Sequence, residues 1–257
     1  MSLPFHLLCR RPALLALTLS AMVPACLMGA PEAEVTEGQN LAAELSAARP
    51  AHSFTNSGIL RVRDAGGKRS GIPVTIRTLV TEGSDTWQIR YEAKVAGTNE
   101  ILIITHQPGE APSYAISRAA EGQPAGAPQP LGPEAGATHF AGSDFWAADL
   151  GLDFFHWPGQ KIIRRDKPEM RKGRPCRILE SSLPGAAGYV RVRSWIDLEH
   201  RQPLIAEAYD AQGNLVKEFS VGSVKKVDGV WQLKDMEITN EREGTLTRLE
   251  FDLNVAP

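Results

Sequence analysis

From Gly58 onward the hydrophobic and polar positions alternate with a period of two. The cleanest run is Trp87–Val95. Trp87, Ile89, Tyr91, Ala93 and Val95 face one way, and Gln88, Arg90, Glu92 and Lys94 face the other. That pattern predicts a half-buried antiparallel strand. Similar stretches lie at Gly58–Arg63, Ile72–Thr81, Glu100–His106 and Ser113–Arg118. After Pro158 they continue at Lys161–Lys167, Pro175–Ser182, Tyr189–Asp197, Leu204–Tyr209, Leu215–Lys226, Val230–Asn240 and Thr245–Leu253. Gly66-Gly67, Asp210–Gly213, Asp228-Gly229 and Arg242–Gly244 punctuate them as turns. Many strands at this spacing predict a meander, barrel or half-barrel, and the absence of βαβ alternation argues against a parallel sheet.

Two places break the alternation toward helix. Leu41 and Leu45 share a face of a predicted helix over Asn40–Ala48, opened by Thr36 and Gln39 as a capping box and stopped by Pro50. A second short helix is predicted near Phe145–Leu152, capped by Ser143 or Asp144. Between the two groups of strands, Glu121–Gly136 is rich in Gly and Pro and reads as a long excursion without strand or helix. Phe145 to Trp157 holds five of the chain's seventeen aromatic residues. Such a concentration marks either a lid or a plug of the core, and both readings stay open.

The amino terminus changes the domain picture. Arg10-Arg11 precede an apolar run to Val23 that is too short to span a bilayer comfortably, which is the form of a signal peptide over residues 1–25. Residues 26–38 then read as a polar tether and 39–257 as one domain. Val23-Pro24-Ala25-Cys26 is similar to a lipobox, so Cys26 is a candidate lipidation site and a route to membrane association; a plain secretory leader with an incidental cysteine fits as well. Of three cysteines, Cys9 leaves with the leader, and Cys176 has no evident partner, so no disulfide framework is expected. The net charge is −2, and removing Arg10 and Arg11 with the leader takes it to −4. Neither value points to nucleic acid.

Catalytic chemistry has no foothold in the motifs. G-x-S-x-G, H-E-x-x-H, G-x-x-x-x-G-K and C-x-x-C are all missing. His52, His106, His139, His156 and His200 form no metal-type spacing, and Asp149 with Asp153 reads as a solvated helix face rather than an acid–base pair. The expectation is a protein without catalysis, metal or cofactor. Arg164-Arg165, Lys167, Arg171-Lys172, Arg174 and Arg177 form a basic stretch, read chiefly as an exposed hairpin rim and otherwise as a patch for an acidic partner.

Several motifs in order carry a family resemblance. They are Gly142-Ser143-Asp144-Phe145 with Asp149-Leu150; Gly173–Glu180; Tyr189–Asp197; Glu207–Gly213 with Lys217; Val230-Trp231; Met236–Asn240; and Thr245–Thr247. Together they resemble the LolA-like outer-membrane lipoprotein-sorting proteins. The resemblance implies a mainly β fold: a single curved antiparallel sheet, or incomplete barrel, with short lid helices over an apolar cavity. It also implies an exported monomer, in the periplasm or at the outer membrane, that binds lipid or lipoprotein acyl chains. A filled, non-catalytic envelope interaction module is the other reading. Candidate lipid-binding residues are Trp87, Ile89, Tyr91, Phe145, Trp146, Phe154, Phe155, Trp157, Trp195 and Trp231. The carrier reading requires room beneath the aromatic segment.

Overall fold

The computed structural model describes residues 30–164, 166–227 and 230–253. They open with helix α1 (Ala30–Ser46). Strands β1 (Phe54–Arg63), β2 (Arg69–Val80), β3 (Trp87–Val95), β4 (Thr98–His106), β5 (Ser113–Ala120) and β6 (Gln129–Leu131) follow. A 3-10 turn (Pro133–Ala137), the short helix α2 (Ala147–Gly151) and a second 3-10 turn (Asp153–His156) come next. The remaining strands are β7 (Gly159–Ile163), β8 (Glu169–Arg171), β9 (Arg174–Ser182), β10 (Arg191–Asp197), β11 (Pro203–Tyr209), β12 (Leu215–Val221), β13 (Val224–Val227), β14 (Val230–Leu233), β15 (Asp235–Asn240) and β16 (Thr245–Asp252).

All but β13 and β14 join one curved antiparallel sheet of fourteen strands, in the order β6-β5-β4-β3-β2-β1-β16-β15-β12-β11-β10-β9-β7, with β8 beside β9. The pairing of β1 with β16 joins the two wings. Among the described residues nothing pairs β6 with β7, so the barrel stays open. The alternation in β3 has the expected consequence. Tyr91 lies opposite Ile76 on one side and Leu102 on the other, and all three enter the inner core. Ile89 and Val95 pack against it from the same strand.

Several local expectations needed correction. Helix α1 begins at Ala30, within the stretch read as a tether, and Thr36 lies inside it with its hydroxyl donating to the Glu32 carbonyl at 2.9 Å. Leu41 and Ala42 seal the helix to the core, and Gly38 permits the approach: a Cβ there would sit 2.4 Å from the Lys161 Cα on β7. Glu121–Gly136 does contain regular structure. Its β6 includes Pro130, tolerated because β6 is an edge strand. Leu215–Lys226 is interrupted at Gly222, where a Cβ would collide with the Asp235 carboxylate, and the paired β13–β14 hairpin leaves the main sheet there.

Candidate functional site: the plugged concave face and its margin

Residues 133–157 cross the concave face of the sheet. Phe140 and Phe145 bracket a tight reversal in which the Phe140 N–H donates to the Phe145 carbonyl at 2.9 Å. Ala141 and Gly142 both take positive φ there, 55° and 64°, which suits glycine and strains alanine. The tip is fastened to β4: the Ala141 N–H donates to Glu100 Oε1 at 2.7 Å, and Arg118 holds the other oxygen at 2.6 Å.

The expected helix caps do other work. Ser143 Oγ donates to the Phe140 carbonyl at 2.7 Å. The Asp144 carboxylate accepts from Thr245 and Thr247 on β16, and its N–H donates to Thr247 Oγ1 at 2.9 Å. Asp149 fills the role at the helix start, accepting the Trp146 N–H at 2.8 Å.

Asp149 is also the centre of a buried latch, not part of a solvated face. Its other oxygen accepts from Tyr189 Oη at 2.7 Å. Lys217, rising from β12, donates to Asp149 at 2.8 Å and to the Asp144 carbonyl at 2.6 Å. The ammonium also lies 3.3 Å from the Trp146 ring centroid, a cation–π contact. Burial pulls the Lys217 pKa below its ordinary value, and the Asp149 carboxylate opposes that pull. Burial pushes the Tyr189 hydroxyl well above its usual range, with the charge of Asp149 adding to it. Asp153 anchors the next turn, accepting from Trp157 Nε1 at 3.0 Å and from Tyr114 Oη at 3.4 Å.

Apolar packing completes the closure. Phe140, Phe145 and Leu150 join the strands of the first wing, while Trp146, Phe154, Phe155 and Trp157 join α1 and the second wing. The space between Phe154, Tyr189, Val192 and Lys217 is about 30 Å³. That is room for about one water, against the several hundred Å³ of an ordinary ligand pocket. Over this part of the concave face the aromatic segment is therefore a plug, and among the described residues the larger space beside it is a depression of about 530 Å³ bordered by Tyr114, Ala135, Trp157 and Tyr189.

Open space also lies at the margin. A groove of about 480 Å³ runs between α1 and the open ends of β3 and β4, lined by Ala42, Ala43, Trp87, His106, Phe155 and Trp157. Trp87 and His106 stack there, ring centroids 4.0 Å apart and planes within 6°. The buried His106 Nε2 has no hydrogen-bond partner. Burial, with the charge of His156, draws the His106 pKa down to about 4.

The fold thus brings three of the sequence candidates, Trp87, Phe155 and Trp157, to one groove. Ile89, Tyr91 and Phe145 sit in the first inner cluster, Trp146 and Phe154 in the second. Trp195 lies on the convex face, where it packs with Cys176 and Ile178, donates to Glu169 at 3.1 Å and carries Arg171 over its ring. The Trp231 side chain and Cys26 lie outside the described residues, as does the leader. Latch residues Asp144, Asp149, Tyr189 and Lys217 were not among the candidates; their only signal was their place in the family motifs. Among the described residues no group of His, Cys, Asp and Glu could hold a metal ion, and no helix is long and apolar enough to cross a membrane.

The open antiparallel half-barrel is a fold that solved LolA-like structures share. A family model described as “-like: Uncharacterized protein” matches residues 126–255, half of the chain, and the chain belongs to that family. Three solved structures share the fold. A DUF1329 family protein from Desulfovibrio piger is 19% identical, with 87% of this chain and 95% of that one covered and a TM-score of 0.68. An outer membrane lipoprotein-sorting protein domain from Vibrio parahaemolyticus is 20% identical, with 86% and 95% covered and a TM-score of 0.66. A LolA superfamily protein from Nitrosomonas europaea is 14% identical, with 87% and 95% covered and a TM-score of 0.53. No curated protein matches the chain.

Proposed function

We propose that the protein binds lipid or lipoprotein acyl chains without catalysing a reaction, and that the aromatic plug is its self-ligand. The observation that carries this reading is an apolar concave face covered by a non-sheet segment held through a few side-chain latches. An acyl chain would enter at the groove between α1 and Trp87 and displace the plug from the sheet. The exchange is energetically balanced. A long acyl chain gains on the order of 10 kcal/mol when buried, at about 0.8 kcal/mol per CH₂. Five large aromatic side chains, at roughly 2 kcal/mol each, give up a similar amount on leaving. Near-balance keeps the empty state soluble and the loaded state releasable.

The Vibrio relative's description as an outer membrane lipoprotein-sorting domain supports the same class of cargo. A leader over residues 1–25 would place the protein in the periplasm or at the outer membrane, as a monomer, with Cys26 as the anchor if it is acylated. The filled interior favours a second reading, an envelope interaction module that never opens. The two separate in one experiment. Protein purified from a bacterial host is examined by native mass spectrometry for bound lipid, then titrated with a fluorescent fatty acid. The carrier reading expects saturable uptake that grows when the latch is neutralised as the pair Asp149→Asn and Lys217→Met. No lipid and no uptake in either form leaves the interaction module.

A further inference from the structure

The geometry points to a phosphate-binding site on the convex face, formed by Arg61, Arg63, Arg69 and Arg248 where β1, β2 and β16 run side by side. It lies on the opposite side of the sheet from the plug and does not depend on the acyl-chain reading. The register sets like charges directly across from each other twice: Arg63 faces Arg69, and Arg61 faces Arg248. Like charges directly opposite in a ladder are destabilising, so a neutral account of the fold disfavours both pairs. All four arginines, with Glu237 and Glu250, line a depression of about 740 Å³, and Glu237 lies opposite Arg248 on its other side. Gly71 lies opposite Arg61, so no side chain from β2 fills the space there.

Carboxylates satisfy only half of this group. Glu250 holds Arg61 at 2.6 Å, and Asp235 holds Arg248 at 2.8 Å. Among the described residues no ion pair reaches Arg63 or Arg69. The basic stretch noted in the sequence behaves differently. Arg164 and Arg171 both pair with Glu169, Arg174 with Asp197, and Arg177 with Glu37. Those four arginines already have carboxylate partners, whereas Arg63 and Arg69 are left to solvent or a ligand.

The choice of arginine narrows the ligand. A guanidinium presents a planar fork that matches the oxygens of a phosphoryl group bidentately, which an ammonium does not. Facing side chains across neighbouring strands stand about 5 Å apart, and positions two along a strand about 7 Å apart. Arg63 and Arg69 can therefore share one phosphoryl group, while Arg61 and Arg248 stand near enough for a second. The ligand class is a phosphorylated or diphosphorylated compound, either free in solution or as the headgroup of an anionic phospholipid.

Two probes separate the sources. Inorganic pyrophosphate is titrated against the full chain by NMR, and flotation is measured with vesicles of phosphatidylglycerol mixed into phosphatidylcholine. Each is repeated with Arg63→Gln/Arg69→Gln and with a charge-matched control, Lys94→Gln/Lys167→Gln, whose lysines are exposed elsewhere. Saturable shifts at residues 61–71 and 246–250 are expected, with affinity lost by about tenfold or more in the arginine variant and little changed in the control. Pyrophosphate binding without flotation assigns a soluble phosphoryl ligand, and flotation without pyrophosphate binding assigns the headgroup. Binding of neither probe, or equal loss in the control, overturns the site. Both arginines are exposed, and a thermal melt of the variant confirms that it folds.

Discussion

Lys217 and Arg61 both bring a cation within hydrogen-bonding distance of a carboxylate, at 2.8 and 2.6 Å, from opposite faces of the same sheet. Their surroundings differ. Lys217 and Asp149 are 2% and 11% exposed, whereas Arg61 and Glu250 are 56% and 37% exposed. The concave pair is fixed by a second acceptor, an aromatic ring and a tyrosine, so neither partner can be lost without stranding the other. The convex pair keeps access to water and is free to exchange its partner for a soluble anion. One face has used its charges to hold a segment in place; the other has kept them available.

That contrast is open to measurement. The largest effect is expected for Asp149→Ala, which leaves the Lys217 ammonium buried with a carbonyl in place of its carboxylate and removes the acceptor for Tyr189 and for the Trp146 N–H. Breaking a buried pair in this way costs about 3–5 kcal/mol. Urea unfolding should show the loss, and adding Lys217→Met in the same background should recover part of it. Full recovery from Lys217→Met would mean that Tyr189 and the helix start contribute nothing.

A smaller effect is expected where α1 rests on β7. Gly38→Ala should cost about 1–3 kcal/mol, because its Cβ meets strand backbone that cannot turn aside. Alanine favours a helix by about 1 kcal/mol over glycine, so a net gain in stability would show that α1 lifts freely from the sheet. The groove lined by Trp87 would then be wider than the structure indicates.

The third test uses pH. His106 has a folded-state pKa of about 4, below its ordinary value of 6.5. Between those values the unfolded chain binds a proton that the folded chain refuses, so stability falls as pH drops from 6.5 toward 4 and gains no further slope from this group below it. Replacing His106 with Gln should flatten that part of the stability profile. An unchanged slope would move the cause to another group. The smallest effect belongs to the convex face: Arg61→Gln should change stability by less than about 1 kcal/mol, as exposed pairs do. A loss as large as that of Asp149→Ala would erase the distinction between the two faces.

How much of this was legible beforehand varies by element. The face of β3 was readable from Trp87–Val95, because a period of two allows only one inner set of residues. The pairing of Leu41 with Leu45 located the packed face of α1, but not its first ten residues, which are mainly polar, and polar helix looks like tether. β6 was hidden by Pro130, whose presence on an edge strand becomes acceptable only once the edge is known. Asp149 and Asp153 looked solvated because their spacing fits an exposed helix face; Lys217 and Tyr189, which bury Asp149, come from distant strands. Trp195 shared its composition with the inner aromatics yet lies outside, since its strand parity sends it to the convex side with Ile178.

Alternation, turn residues and the clustering of aromatics are local properties, and by themselves they determined that this chain forms a long antiparallel sheet with one apolar face and a separate aromatic segment. Whether that segment shelters a space or fills it was decided by tertiary structure alone. The answer depends on side-chain volumes meeting across strands far apart in the chain, on a latch assembled from residues 144, 149, 189 and 217, and on a register that faces arginine with arginine on the other side.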